Sequence, residues 1–105
     1  MLRKVTTISL IVLLGIAAGP LFADGAATYK AKCAMCHGAN GKGDTPMGKS
    51  LKVRDLSSAD VQKQTDIELT KVIAGGKGKM PAYGKSLTAA DIQAVIAYVR
   101  TLKTK

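Results

Sequence analysis

Cys33-Ala34-Met35-Cys36-His37 is the stretch on which the rest of the chain turns. Two thiols three positions apart on a helical turn project to one side, and the imidazole follows directly. A structural zinc site needs four ligands, but the whole chain holds two Cys and one His. A catalytic dithiol expects a βαβ setting, and no strand pattern surrounds the motif. A lone structural disulfide would leave the adjacent His without a reason. C-x-x-C-H is the spacing of c-type haem attachment: each thiol adds to one vinyl group of the same porphyrin, and His37 is placed to bind the iron. Covalent attachment prevents loss of the haem and supplies an apolar plate for a small chain to close around.

The segment before the motif points to export. Met1-Leu2-Arg3-Lys4 is a short positive head, Val5 to Ala18 is mainly apolar, and Gly19-Pro20 ends the run ahead of the small residue Ala23. That order is the pattern of a secretory signal peptide, so residues 1–23 are expected to be removed by cleavage near Ala23. The rival is an uncleaved anchor, but Val5 to Ala23 spans 19 residues and contains Pro20, a marginal membrane span. Residues 24–105 then form one domain of 82 residues. A chain of that length buries a limited core and usually needs a staple. It has no Trp, and its one Phe, Phe22, lies in the leader.

Periodicity gives three main helices and no strand. The first is read from Ala26 to Cys36, capped by Asp24 and ended by Gly38 in a left-handed conformation. Residues 38–58 are read as mostly loop, punctuated by Gly38, Gly41, Gly43, Pro46 and Gly48, with a short helix near Ser58 to Gln64. Thr65-Asp66-Ile67-Glu68 is a capping box that opens a helix through Ala74, with Leu69, Val72 and Ile73 on its buried side. Thr88-Ala89-Ala90-Asp91 repeats the box and opens the last helix. There Ile92, Val95, Ile96, Val99 and Leu102 form an amphipathic stripe.

A haem held by one protein ligand could bind gas or peroxide, whereas two ligands close the iron and suit it to passing electrons. Methionine opposite histidine raises the reduction potential. Met35 lies between the two Cys and cannot reach the opposite face. Met47 sits ten residues past His37 in a predicted loop. Met80, in Gly78-Lys79-Met80-Pro81, is favoured, because Pro81 fixes the backbone locally and the glycines permit close approach.

From Asp24 to Leu102 the chain resembles the class I c-type cytochromes, in particular their short bacterial and algal members. Four features carry the resemblance: Gly25, Tyr29 and Cys33 spaced four apart; the Cys33–His37 motif; AGGKGKMPAYG from Ala74 to Gly84; and Asp91 to Val99 with Ile96-Ala97-Tyr98. The resemblance implies an all-α cytochrome c fold, three main helices plus loops wrapped around one haem c attached to Cys33 and Cys36. It implies iron ligated by His37 and Met80, and a crossing of first and last helices where Gly25 allows close approach and Tyr98 packs. The Pro46 carbonyl becomes a candidate acceptor for the His37 ring N–H, and Arg54 a candidate partner for the haem propionates. Leu51, Leu56 and Tyr83 are expected in the haem pocket.

The function so implied is one-electron transfer in the periplasm or a thylakoid-lumen-like compartment, not catalysis. Net charge is +9, and without Arg3 and Lys4 the chain keeps 14 basic and 7 acidic residues, or +7. Lys42, Lys49, Lys52, Lys77, Lys79 and Lys85 would ring the haem edge and steer the carrier toward the acidic face of a redox partner. Weak association with an anionic membrane surface also fits. Nucleic acid does not, because no basic helix face or aromatic stacking pattern is present. A monomer is expected. The alternatives are a haem subunit tethered to a membrane oxidoreductase by residues 5–23, and an open-site peroxidase or gas sensor. A dedicated peroxidase would want a distal acid–base group, and the chain has no second His.

Overall fold

A computed structural model describes residues 24–104; the leader assigned to residues 1–23 lies outside them. The order is α1 (Gly25–Lys32), α2 (Ala34–His37), α3 (Pro46–Leu51), α4 (Ala59–Gln62), α5 (Asp66–Gly75) and α6 (Ala89–Thr101). Three of these are the helices expected from periodicity. Among the described residues there is no strand, only an isolated antiparallel bridge between Lys77 and Met80.

The caps form as their residue types require. The Asp24 carboxylate accepts from the Ala27 N–H at 3.1 Å, satisfying one of the free amides of the first turn. Thr65 with Glu68, and Thr88 with Asp91, each close a full reciprocal capping box. Ser58 caps α4 by a single bond, its hydroxyl accepting from the Val61 N–H at 3.4 Å.

Three local expectations need correction. The first helix does not run unbroken to Cys36. It ends at Cys33, which has φ −113° and ψ −34°, and a new turn starts at Ala34. Gly38 has positive φ as expected, but its ψ of 162° makes it extended rather than left-handed helical. Residues 46–51, read as loop, form α3. Pro46 at the first helical position costs no hydrogen bond, and the Thr45 hydroxyl accepts from the Gly48 N–H at 2.9 Å. Gly48 serves here as a packing residue rather than a breaker, since a Cβ there would strike the Cys36 carbonyl.

α6 is the spine. Its Ile92 and Ile96 pack with Val61 of α4 and Leu69 of α5, while its Val95 and Val99 pack with Tyr29 of α1. Leu102, at the end of the stripe, is partly buried and packs against the second group. α1 crosses α6 where Gly25 meets the Ala94 carbonyl, leaving no room for a Cβ. One turn on, the rings of Tyr29 and Tyr98 lie 4.9 Å apart, tilted by 47°, the offset geometry that aromatic pairs prefer. A polar brace joins α6 to the chain between α4 and α5. Arg100 donates to the carbonyls of Gln62 (2.8 Å) and Gln64 (2.6 Å) and to Asp66 (2.8 Å). The Gln62 amide donates in turn to the carbonyls of Leu56 and Val99.

Among the described residues only seven apolar side chains are buried. At about 1.5–3 kcal/mol for each large one, that is a thin core for a domain of this size. Further apolar side chains, Leu51, Leu56, Val72 and Ile73 among them, line a cleft whose walls include residues of α1, α5 and α6.

Gly25→Ala is expected to push α1 off α6. Overpacking of this kind costs about 1–3 kcal/mol, so thermal unfolding should fall by roughly 4–24 °C at the usual 4–8 °C per kcal/mol for a domain this small. An unchanged melting temperature would mean that the crossing is not under steric control.

Candidate haem cleft

The end of α1 and the single turn of α2 place the motif. The Cys36 and His37 amides both donate to the Cys33 carbonyl, a tight turn that holds Cys33, Cys36 and His37 against one cleft of about 300 Å³. That volume is at the lower end of the range for ligand pockets. The floor is apolar, with Leu51, Leu56, Leu69, Ile73 and Ile96 among its residues. Tyr83, placed in the pocket by resemblance, also lines it and donates its hydroxyl to the Lys32 carbonyl at 3.1 Å.

Met80 lines the same cleft, 43 residues beyond His37 in sequence. Its loop is built by backbone contacts. Lys77 and Met80 exchange N–H···O bonds of 3.2 and 2.9 Å, and the Tyr83 and Gly84 amides donate back to the Ile73 and Ala74 carbonyls of α5. Gly76 makes the reversal possible: its φ is +74°, and a Cβ there would lie 2.7 Å from the Met80 carbonyl oxygen. Met47 and Met35 do not line the cleft and are exposed to 45% and 74%.

The residues present fit a covalently held haem. Both thiols are free and face the cleft. The His37 Nδ1 is buried with no hydrogen-bond partner among the described residues, an uncommon state for a buried polar atom and one consistent with a ring whose partner is a bound group. Burial lowers the His37 pKa, with the nearby Arg54 backbone opposing the shift, which favours the neutral, ligating imidazole. The Pro46 carbonyl, expected from the sequence to accept from the His37 ring, does not do so, since Nδ1 has no partner among the described residues. Pro46 opens α3, and its carbonyl runs along the helix toward the Ser50 amide.

Burial, and then the neighbouring Cys36, push the Cys33 thiol up to about 11. A dithiol oxidoreductase needs the opposite shift.

Arg54, Lys52, Lys77 and Lys79 line the mouth of the cleft, joined by Lys32, which the sequence reading did not include. Gln64 is a further polar lining residue that local sequence did not single out. Thr45 was missed as well. Its hydroxyl donates to the Cys36 carbonyl at 3.0 Å while capping α3, and the Thr-Pro pair was the available signal.

Tyr29 secures the turn after the motif. Its buried hydroxyl donates to the Gly38 carbonyl at 2.6 Å, and its pKa is raised, first by burial and then by Cys33 and Tyr98.

Comparison with known proteins agrees with this arrangement. Residues 20–99 match the family described as cytochrome C oxidase, cbb3-type, subunit III. Cytochrome c6 of Microcystis aeruginosa is 40% identical over 76 residues, covering 72% of this chain and 90% of that protein. The cbb3-type cytochrome c oxidase subunit FixP of Azorhizobium caulinodans is 36% identical over 83 residues, which is 79% of this chain but only 28% of FixP. The solved structure of the KustC0563 c-type cytochrome superposes with a TM-score of 0.72 at 30% identity, over 77% of this chain and 99% of that one.

Tyr29→Phe is expected to cost about 1 kcal/mol at neutral pH, the net value of one hydrogen bond, because the Gly41 N–H still donates to the Gly38 carbonyl. With its folded pKa raised, Tyr29 stabilises fully below the unfolded tyrosine value near 10, and that stability is lost as pH rises above it. Denaturant titrations at stepped alkaline pH should therefore show a shallower decline in the variant. Parallel declines would mean that Tyr29 does not govern the alkaline limb.

Proposed function

The chain belongs to the c-type cytochromes, and from that premise we propose that it is an exported one-electron carrier whose haem iron is ligated by His37 and Met80. As a member of that family it is an electron-transfer protein with haem c, for which Cys33 and Cys36 supply the thiols. The observation that carries the ligand assignment is that Met80 shares the cleft with His37 while Met35 and Met47 do not.

Haem c supplies a ferric/ferrous couple, and the protein supplies position, ligand field and exclusion of water. The Cys33–His37 turn holds the thiols and imidazole on one wall. The Gly76 reversal presents Met80, whose neutral thioether would, together with the His37 imidazole, favour the reduced state of the bound iron. Leu69, Ile73 and Ile96 keep the interior dry.

Charge placement supports an acidic redox partner. Six of the seven acidic residues are engaged within the fold: Asp24, Glu68 and Asp91 in caps, Asp55 with Ser57, Asp60 with Lys63, and Asp66 with Arg100. Lys63 is the one lysine in an ion pair among the described residues. Lys42, Lys49, Lys52, Lys77, Lys79 and Lys85 are exposed, and three of them, with Lys32 and Arg54, border the cleft. Such a field speeds encounter more than it tightens binding. The location we assign is the periplasm or a lumen-like compartment, with residues 1–23 removed as the signal and the mature carrier monomeric.

A second reading, a haem subunit tethered through residues 5–23, is favoured by the match to part of FixP. No helix among the described residues is long and apolar enough to cross a membrane. The mass of the protein purified from its own compartment separates the two: an intact N-terminus found in membranes would replace the free carrier.

Met80→Ala should abolish the weak far-red band of methionine-bound ferric iron and lower the potential by about 0.1 V or more, within the roughly 0.8 V that axial ligands command. Met47→Ala should leave both unchanged. Retention of the band in Met80→Ala would remove Met80 from the iron.

Electron transfer to an acidic redox partner should slow at least tenfold between low and high salt, as screening shortens the range of the lysine field. A rate independent of ionic strength would discard the docking proposal.

A further inference from the structure

Three large apolar side chains stand exposed among the described residues: Met35 at 74%, Met47 at 45% and Ile67 at 70%. Two of the three are thioethers, and both sit on the attachment side of the cleft. Met35 lies between Cys33 and Cys36. Met47 precedes Gly48, which packs directly on the Cys36 carbonyl. Neither belongs to the buried clusters or the cleft lining. Packing does not explain them, which leaves their chemistry. Thioethers are the side chains that take up an oxygen atom from peroxides and return it enzymatically, with a susceptibility that follows exposure. Met80, by contrast, is partly buried, and its loop is closed by the Lys77–Met80 bridge.

We propose that Met35 and Met47 are sites of oxidation that intercept peroxide ahead of Met80. In the step, a sulfur lone pair attacks one oxygen of hydrogen peroxide. The O–O bond breaks and an S–O bond forms. The second oxygen leaves as water after proton transfer. Sulfur is oxidised by two electrons and the peroxide is reduced by two. The product is a polar sulfoxide on a surface already in water, so oxidation at Met35 or Met47 costs the fold little. The same change at Met80 would put a polar group into an apolar cleft. The order of reaction depends on exposure and does not require Met80 to bind iron.

The test is to treat the haem-loaded protein with one equivalent of hydrogen peroxide per chain and map oxygen uptake on each methionine by peptide mass. Sulfoxide is expected at Met35 first, then Met47, with Met80 severalfold slower. In a Met35→Leu/Met47→Leu double variant, Met80 sulfoxide at the same limiting peroxide should rise severalfold, and Met35→Leu alone should give an intermediate rise. Equal oxidation of Met80 and Met35 in the parent, or an unchanged Met80 yield in the double variant, would overturn the proposal. The far-red band, recorded on the untreated protein, reports Met80 ligation separately, so failure of that assignment and failure of this one give different results.

Discussion

The contact between Gly25 and the Ala94 carbonyl is the constraint on which the rest of this fold depends. Only a residue without a Cβ lets α1 lie directly on the backbone of α6. That approach brings Tyr29 onto Val95 and Val99 and into register with Tyr98. Tyr29 in turn holds the Gly38 carbonyl, and so the end of the Cys33–His37 turn. Haem attachment residues that look like an isolated five-residue motif are therefore set by a helix crossing that starts eight positions earlier.

The opposite wall follows a different logic. No helix presents Met80. It is carried on a short reversal between α5 and α6, pinned by backbone hydrogen bonds rather than side-chain packing. Backbone pinning leaves side chains of the loop free for other tasks, and Lys77, Lys79 and Met80 use that freedom at the mouth of the cleft. The back of the cleft is held from outside by Arg100 and Gln62, whose hydrogen bonds gather the chain between α4 and α5 onto α6. With only seven buried apolar residues among the described residues, such braces matter more here than in a domain with a larger core.

Charge and fold are coupled in this chain. Six of its seven carboxylates are engaged at caps and in local pairs, so folding leaves every lysine but Lys63 without an ion-pair partner among the described residues. The helix starts that stabilise the domain thus also sharpen its electrostatic character.

The sequence by itself determined whatever depends on a few neighbouring residues. The haem motif, both capping boxes, the Asp24 cap and the α6 stripe were legible because the hydrogen bonds and periodicities involved reach only three or four positions. Family resemblance added the α1–α6 crossing. Tertiary structure decided what depends on contacts across the chain. Residues 46–51 became helix because Thr45 and Gly48 meet Cys36, a contact that glycine and proline counts hide. The first helix broke at Cys33, where the chain turns to present both thiols and the imidazole to one cleft. His37 did not find the Pro46 carbonyl, because Pro46 opens α3 and its carbonyl points along the axis of that helix. Met80 rather than Met47 lines the cleft because the reversal after α5 folds back across it, and that path is set by packing between elements far apart in sequence, which no local pattern encodes.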